Sequence, residues 1–422
     1  MYKRAVLNNG LRVTSHRMPT MQSIALGIWI RVGGRYESEH NKGVSHFMEH
    51  LLFKGSKKFS YRKLKESIEG VGGSLNGFTS EESTCYLVKI PSHHLEIAWD
   101  VLSDMVLNPL LPAREVEKER TVILEEIKMY KDQPQIYVYD LLDALLWPGQ
   151  PLGAPIIGTT DSVAKMKREE ILSFKKRFYT PVNIVISAAG QLKHEKLVRL
   201  AKKTFAYVKE GSVNDFVRAK EDQEMPGLKI FYKETEQIHM ALGFHSLKRE
   251  HPLRHALGIL NIVLGANMSS RLFNEVREKR GLAYEIGTIV KRYLDTGVFL
   301  VHAGIDNARV QEAVPLILGQ LKVCKKELIG QDEFKRAKEF YLGQLMLALE
   351  DTLDHMLWIG EYTTCLGRAY TLSEIIREVD KVRREDVRLA ARAIFQERKL
   401  NMALIGPLQQ AEDKIYKELR LD

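Results

Sequence analysis

Val163-Ala164-Lys165-Met166-Lys167-Arg168-Glu169-Glu170-Ile171 decides the fold, because the chain writes it again as Val379-Asp380-Lys381-Val382-Arg383-Arg384-Glu385-Asp386-Val387. The second copy stands 216 residues after the first. Ala25-Leu26-Gly27 returns as Ala241-Leu242-Gly243 at the same offset, and Ile90 to Ala98 matches Ile305 to Ala313 at 215. Apolar runs ending at Gly190 and Gly406 close the two halves, again 216 apart. Several matches at nearly one offset mark an internal duplication, and the period far exceeds the roughly 20–50 residues of solenoid repeats. The 422 residues therefore form two homologous domains, expected at 1–210 and 229–422. Between them, Lys209-Glu210-Gly211-Ser212-Val213-Asn214-Asp215 and the polar run to Pro226-Gly227 lack helical or strand periodicity. That stretch reads as a linker over 211–228.

Both halves follow one order. A short apolar strand (Ile24 to Val32; His239 to His245) leads into a helix. Further helices and a strand such as Thr84 to Ile90 come next, then a long helix, then a closing helix and strand (Glu169 to Ala189; Glu385 to Ile405). Alternation within the strands predicts a mainly antiparallel sheet with helices on one face, an α+β class.

Composition narrows the function. A chain 45% hydrophobic and 28% charged has an ordinary globular balance, able to bury a core. No run approaches the roughly 20 apolar residues of a membrane span, so no membrane partner is expected. The opening Met1-Tyr2-Lys3-Arg4-Ala5-Val6-Leu7-Asn8-Asn9-Gly10 reads as the start of a hairpin with an Asn-Gly turn, not as a signal or transit peptide. Three widely spaced cysteines, Cys85, Cys324 and Cys365, argue against a disulfide framework or a cysteine metal site. A reducing compartment is expected, with the chain cytoplasmic or a mature form whose address has been removed. The net charge of +9 is spread out: Lys165-Met166-Lys167-Arg168 is followed by Glu169-Glu170, the look of a solvated helix face. No nucleic-acid partner is expected.

Chemistry gathers at His46-Phe47-Met48-Glu49-His50. Histidines four apart on a helix share a face, about one turn from each other. That spacing suits one Zn²⁺, bound by each imidazole at about 2.0–2.1 Å. Glu49 lies near the same face and reads as a general base rather than a ligand. The order H-x-x-E-H is the inverse of the H-E-x-x-H zinc peptidase motif. The bland alternative is a helix with two exposed histidines and an acidic neighbour. A catalytic zinc needs a third protein ligand, and the stretch Glu115 to Ile127 offers candidates. Glu119 and Glu126 are two turns apart on one face, whereas Glu125 points elsewhere. Spacing alone does not choose between a ligand and a solvated acidic face.

The run His46-Phe47-Met48-Glu49-His50-Leu51-Leu52-Phe53-Lys54-Gly55, with Glu126 lying 76 residues after His50, resembles the pitrilysin/insulinase family of inverted-motif zinc metallopeptidases. The resemblance extends to the bacterial processing proteases related to the mitochondrial processing peptidase beta subunit. It also takes in Gly72-Gly73-Ser74-Leu75-Asn76-Gly77-Phe78-Thr79-Ser80 and Arg277-Glu278-Lys279-Arg280-Gly281-Leu282-Ala283-Tyr284. It covers essentially the whole chain, including the two-half layout. It implies that His46, His50 and Glu126 bind zinc, that Glu49 is the general base, and that Glu119 orients a ligand histidine. It further implies that Arg277 and Tyr284 of the second domain reach the site to hold a substrate carbonyl and an oxyanion. Read without the family, the two are a surface arginine and a half-buried tyrosine. The edge carrying Asn76, Gly77 and Phe78 would accept an extended substrate as an added strand. Members that cut mitochondrial presequences carry two acidic residues after the glutamate ligand. The matching positions here are Ile136 and Asp140, and the single acidic residue argues against a strict arginine preference.

The second copy lacks the site. At an offset of 216, His46 and His50 meet Ile262 and Ala266, while Glu119 and Glu126 meet Lys335 and Leu342, or Ala337 and Gln344 after a shift of two. One zinc per chain is expected. The sequence thus reads as a zinc metalloendopeptidase for peptides or unfolded polypeptide, pairing as a homodimer around a closed chamber. The alternatives are a catalytically silent partner or structural subunit on the same fold, and a zinc hydrolase acting on something other than peptides. Retention of all three candidate ligands together with Glu49 favours the enzyme.

Overall fold

The computed structural model describes residues 2–213, 215–408 and 412–421; Asn214 of the expected linker lies outside them. The chain divides into two compact units, each discontinuous in sequence. Unit 1 comprises residues 1–128, 155–217 and 346–372, and unit 2 comprises 129–154, 218–345 and 373–422. The contiguous boundaries at 210 and 229 do not coincide with these. Each unit takes a helical segment from the other half of the sequence, because that segment buries its apolar face on the other half's sheet.

Unit 1 holds a six-stranded sheet in the order β1 (Lys3–Val6), β2 (Arg12–Arg17), β6 (Ile184–Gly190), β3 (Ser23–Ile30), β5 (Thr84–Pro91) and β4 (Ser74–Thr79). All pairs are antiparallel except β2 with β6. The expected hairpin is β1–β2, closed by a bond from Gly10 N–H to the Leu7 carbonyl at 2.9 Å, with Gly10 at φ 83°. β3 is buried on both faces. Ala25 and Trp29 cluster with Cys85, Leu87, Val185, Ala189 and Met356. The alternate residues Ile24, Leu26 and Ile28 are also fully buried and, by the period of two, face the opposite layer. That layer includes α3 (Leu95–Leu107), which packs on β3 and β5.

Unit 2 repeats the plan with five strands: β7 (Gly227–Tyr232), β11 (Leu400–Gly406), β8 (Gln237–His245), β10 (Gly297–Asp306) and β9 (Ala283–Arg292). Only β7 with β11 runs parallel. Met240, Leu242 and Phe244 of β8 join the main core with the helices Arg254–Leu264 and Val310–Lys326. On the other face, Ala241, Leu300 and Ala403 pack against Val138, Leu142 and Leu146.

The α+β class and the mainly antiparallel sheets hold. To the helical layer on one face the structure adds, among the described residues, one helix on the opposite face: Thr352–Leu366 in unit 1 and Pro134–Leu146 in unit 2. No helix among the described residues is long and apolar enough to cross a membrane.

Candidate metal centre

Helix α1 (Val44–Leu52) carries the H-x-x-E-H run. Val44, Phe47, Met48, Leu51 and Leu52 are fully buried, and this apolar stripe fixes the helix's rotation. His46, Glu49 and His50 consequently lie together on the half-buried side. The helix begins at Gly43, whose φ of 88° is left-handed and which supplies no side-chain cap. A Cβ there would stand 2.6 Å from the Ile157 carbonyl oxygen, so glycine is required. A remote carboxylate satisfies the first helical donors instead: Glu37 accepts from Gly43 N–H at 2.7 Å and Ser45 N–H at 2.8 Å. Burial lifts the Glu37 carboxyl to about 7 despite those bonds.

Helix α2 (Tyr61–Glu69) and α3 separate α1 from α4 (Ala113–Asp132), which brings in the acidic residues. Val116, Glu119, Ile123 and Ile127 form the buried stripe of α4. Glu126 is half-buried beside it, whereas Glu125 is exposed and paired with Lys128 at 2.7 Å. Packing thus separates the two neighbours, leaving Glu125 in solvent and Glu126 half-buried. Glu126 Oε2 lies 3.9 Å from His46 Nε2 and 3.5 Å from His50 Nε2. One ligand atom from each of these three residues falls within 4.8 Å of the other two. Glu119 approaches from behind: its Oε2 is 3.2 Å from His50 Nδ1, and its Oε1 is 2.7 Å from Lys54 Nζ.

This trio fits a zinc ion. Atoms bound to one tetrahedral zinc at about 2.1 Å sit roughly 3.4 Å apart, close to the two separations seen. Glu126 Oε2 is buried with no hydrogen-bond donor of its own, an arrangement that a cation would satisfy. Burial and the neighbouring His50 hold the His46 imidazole well below its usual range, at about 3. It is thus neutral, the form that ligates metal. Burial would raise the Glu119 carboxyl, but bonds from His50 and Lys54 outweigh it and hold the group ionised below its ordinary range.

Glu49 is half-buried beside the trio. Burial raises its carboxyl, and a 2.6 Å bond donated by the Thr79 hydroxyl to Oε2 works in the other direction. A raised carboxyl suits a general base. Thr79 ends β4, the edge strand bearing Asn76, Gly77 and Phe78. Phe78 packs edge-on against Trp29, and the Asn76 side chain accepts from Gly77 N–H.

The other anticipated residues lie in unit 2. Arg277 sits in the π-helical turn Phe273–Glu278, its guanidinium 4.6 Å above the Phe273 ring and 5.5 Å above that of Tyr284. Tyr284 is the second residue of β9 and is 75% exposed, more than the half-buried core tyrosine of the bland reading. Asp140 lies on α5 (Pro134–Leu146), where burial and Asp143 raise its carboxyl to about 6. Asp143 is one helical turn on and bonds Lys291 at 2.8 Å. Sequence reasoning passed over Asp143, Lys54, Thr79 and Glu37. Lys54 and Thr79 stand inside the quoted motifs, and Glu37 precedes the helix by a spacing that carries no signal.

Residues 12–160 match the family described as Insulinase (Peptidase family M16), and residues 165–341 match the Peptidase M16 inactive domain. The chain is 38% identical to the uncharacterized zinc protease YmxG of Bacillus subtilis, over 96% of this chain and 98% of that protein. It is 36% identical to an uncharacterized zinc protease of Streptomyces coelicolor, over 97% and 90% respectively. Its fold is shared with a protease from Helicobacter pylori: TM-score 0.89 and 24% identity, covering 96% of this chain and 100% of that one.

Proposed function

The chain belongs to the insulinase family of peptidases, M16, and from that premise we propose that it is a zinc metalloendopeptidase acting on peptides and unfolded polypeptide segments. The observation that carries the reading is the convergence of His46, His50 and Glu126 around one point, with Glu49 beside them and Glu119 behind His50. Zinc held by the trio would supply Lewis acidity, polarising a carbonyl and lowering the pKa of a coordinated water towards about 7 from 15.7. Glu49 takes up a proton at its carboxylate and returns it to the leaving amine. Glu119 fixes the orientation of the His50 ring, and β4 offers its free edge to an extended substrate backbone.

Arg277 and Tyr284 supply a cation and a hydroxyl for the substrate carbonyl and its oxyanion. Asp140 serves the substrate side chains. Two chains pair as a homodimer around a chamber that excludes folded proteins, in the cytoplasm, where Cys85, Cys324 and Cys365, none of them in a disulfide, stay reduced. The reading as a silent partner subunit lacks support from the site, because such a subunit has no need of a ligand trio and an adjacent base.

The test compares wild type with Glu49→Gln on an unstructured peptide, with zinc measured in both. The expected result is about one zinc per chain in each and turnover only in wild type. Equal turnover would overturn the mechanism. Wild type with neither zinc nor turnover would favour the silent-subunit reading.

A further inference from the structure

The hydroxyl on Glu49 comes from the strand expected to receive substrate. Thr79 is the last residue of β4, immediately after Asn76-Gly77-Phe78, and donates to Glu49 Oε2 at 2.6 Å. A glutamate side chain has three rotatable bonds, and a bond to one carboxylate oxygen selects among its rotamers. It also leaves Oε1 as the site for an incoming proton.

Thr79 is itself held from behind. The turn after it closes through Ser80 N–H to the Ser83 carbonyl at 2.8 Å and Ser83 N–H to Ser80 Oγ at 3.2 Å. Gly34 and Arg35 N–H groups reach the Ser80 and Glu81 carbonyls at 3.1 and 3.0 Å. Arg35 Nη1 bonds Glu82 Oε1 at 2.5 Å, and both side chains are almost wholly buried. The Phe216 ring covers the guanidinium at 3.8 Å. A buried pair of this kind fixes geometry even where it adds little net stability.

We propose that Thr79 is a positioning residue for the general base, and that the buried Arg35–Glu82 pair keeps it in place by pinning the β4–β5 turn. The substrate edge and the hydroxyl that aims Glu49 are consecutive residues of one strand. A peptide seated on that edge is therefore in register with an aligned base. The proposal rests on the peptidase reading above.

The test uses the full-length protein with Thr79→Val, Thr79→Ser and Glu82→Gln. Valine keeps the shape and removes the donor, so kcat should fall about 10–100-fold, the range for losing a hydrogen bond to a charged group. KM, zinc affinity and the peptide affinity of metal-stripped protein should stay within about twofold. Serine restores the hydroxyl and should recover kcat to within about threefold. Glu82→Gln should lower kcat several-fold with KM unchanged.

Wild-type kcat in Thr79→Val overturns the role of Thr79. So does a loss shared equally by KM and zinc affinity, or a failure of serine to rescue. Wild-type kcat in Glu82→Gln overturns the pinning by the buried pair. An inactive, zinc-free wild type overturns the peptidase reading itself, and the proposal falls with it.

Discussion

Replacing Glu119 by glutamine tests whether the carboxylate behind His50 governs zinc affinity rather than chemistry. Glu119 accepts from both sides, with His50 Nδ1 at 3.2 Å and Lys54 Nζ at 2.7 Å. Glutamine keeps one acceptor oxygen, and its amide NH₂ must then face one of those two donors. Losing such a partner typically weakens metal affinity about 10–100-fold, which corresponds to about 1.4–2.7 kcal/mol. A charge-assisted hydrogen bond is worth about 1.5–3 kcal/mol on independent grounds. The Lys54 side chain is 23% exposed, so water screens the freed ammonium, and the lower part of the range is expected. Competition of metal-stripped protein with a chromophoric chelator would measure zinc Kd. Peptide turnover would be followed as zinc is added. Glu119→Gln should bind zinc about 10–30-fold more weakly, yet recover most of its kcat at saturating zinc. A Kd within twofold of wild type would refute the orienting role. Turnover that stays lost at saturating zinc would instead give Glu119 a part in the chemistry.

Three further outcomes follow from the structure. The Glu37 carboxyl, raised by burial from an ordinary 4.5 to about 7, holds its proton more tightly in the folded state, so its contribution to stability is lost as pH rises from about 4.5 through 7. Denaturant unfolding of Glu37→Gln should lack that falling limb, and an unchanged pH slope would show that another group causes it. Gly360→Ala would place a Cβ 2.1 Å from Trp29 Nε1 and 2.6 Å from Ser187 Oγ, an overpacking expected to cost about 1–3 kcal/mol; an unaltered thermal midpoint would count against close packing of Thr352–Leu366 on the sheet. Zinc titration should saturate at one ion per chain, and two tight equivalents would expose a second centre.

The duplication and the His46–His50 pair were legible because each leaves a periodic mark: a constant offset in one case, one helical turn in the other. The exchanged helices left none. Pro134–Leu146 and Thr352–Leu366 each show an apolar face, but a periodic pattern states that a face is buried, not which sheet buries it. The acidic residues of α4 follow the same logic. Spacing put Glu119 and Glu126 on one face, and only the structure sets them at different nitrogens of His50, Nδ1 at 3.2 Å and Nε2 at 3.5 Å. Thr79 was hidden by its context, since Thr-Ser-Glu-Glu-Ser at a strand end reads as turn chemistry.

The second unit keeps the scaffold of the first with other residues at the matching positions. β9 holds the edge position next to β10 that β4 holds next to β5. At an offset of 216, Glu49 corresponds to Gly265. In unit 1 Thr79 of the edge strand meets the Glu49 carboxylate. In unit 2 Thr288 of β9 meets Gly265 directly, its N–H donating to the Gly265 carbonyl at 3.3 Å. A Cβ on Gly265 would stand 2.6 Å from Thr288 Cγ2 and 2.8 Å from its backbone nitrogen. No carboxylate side chain fits there without displacing the strand. Ile262, the counterpart of His46, is packed into the main core, whereas His46 is lifted to the half-buried side of its helix. The candidate ligand positions are therefore not merely substituted in the repeat. The gap between helix and edge strand, which in unit 1 houses Glu49, is closed on backbone in unit 2.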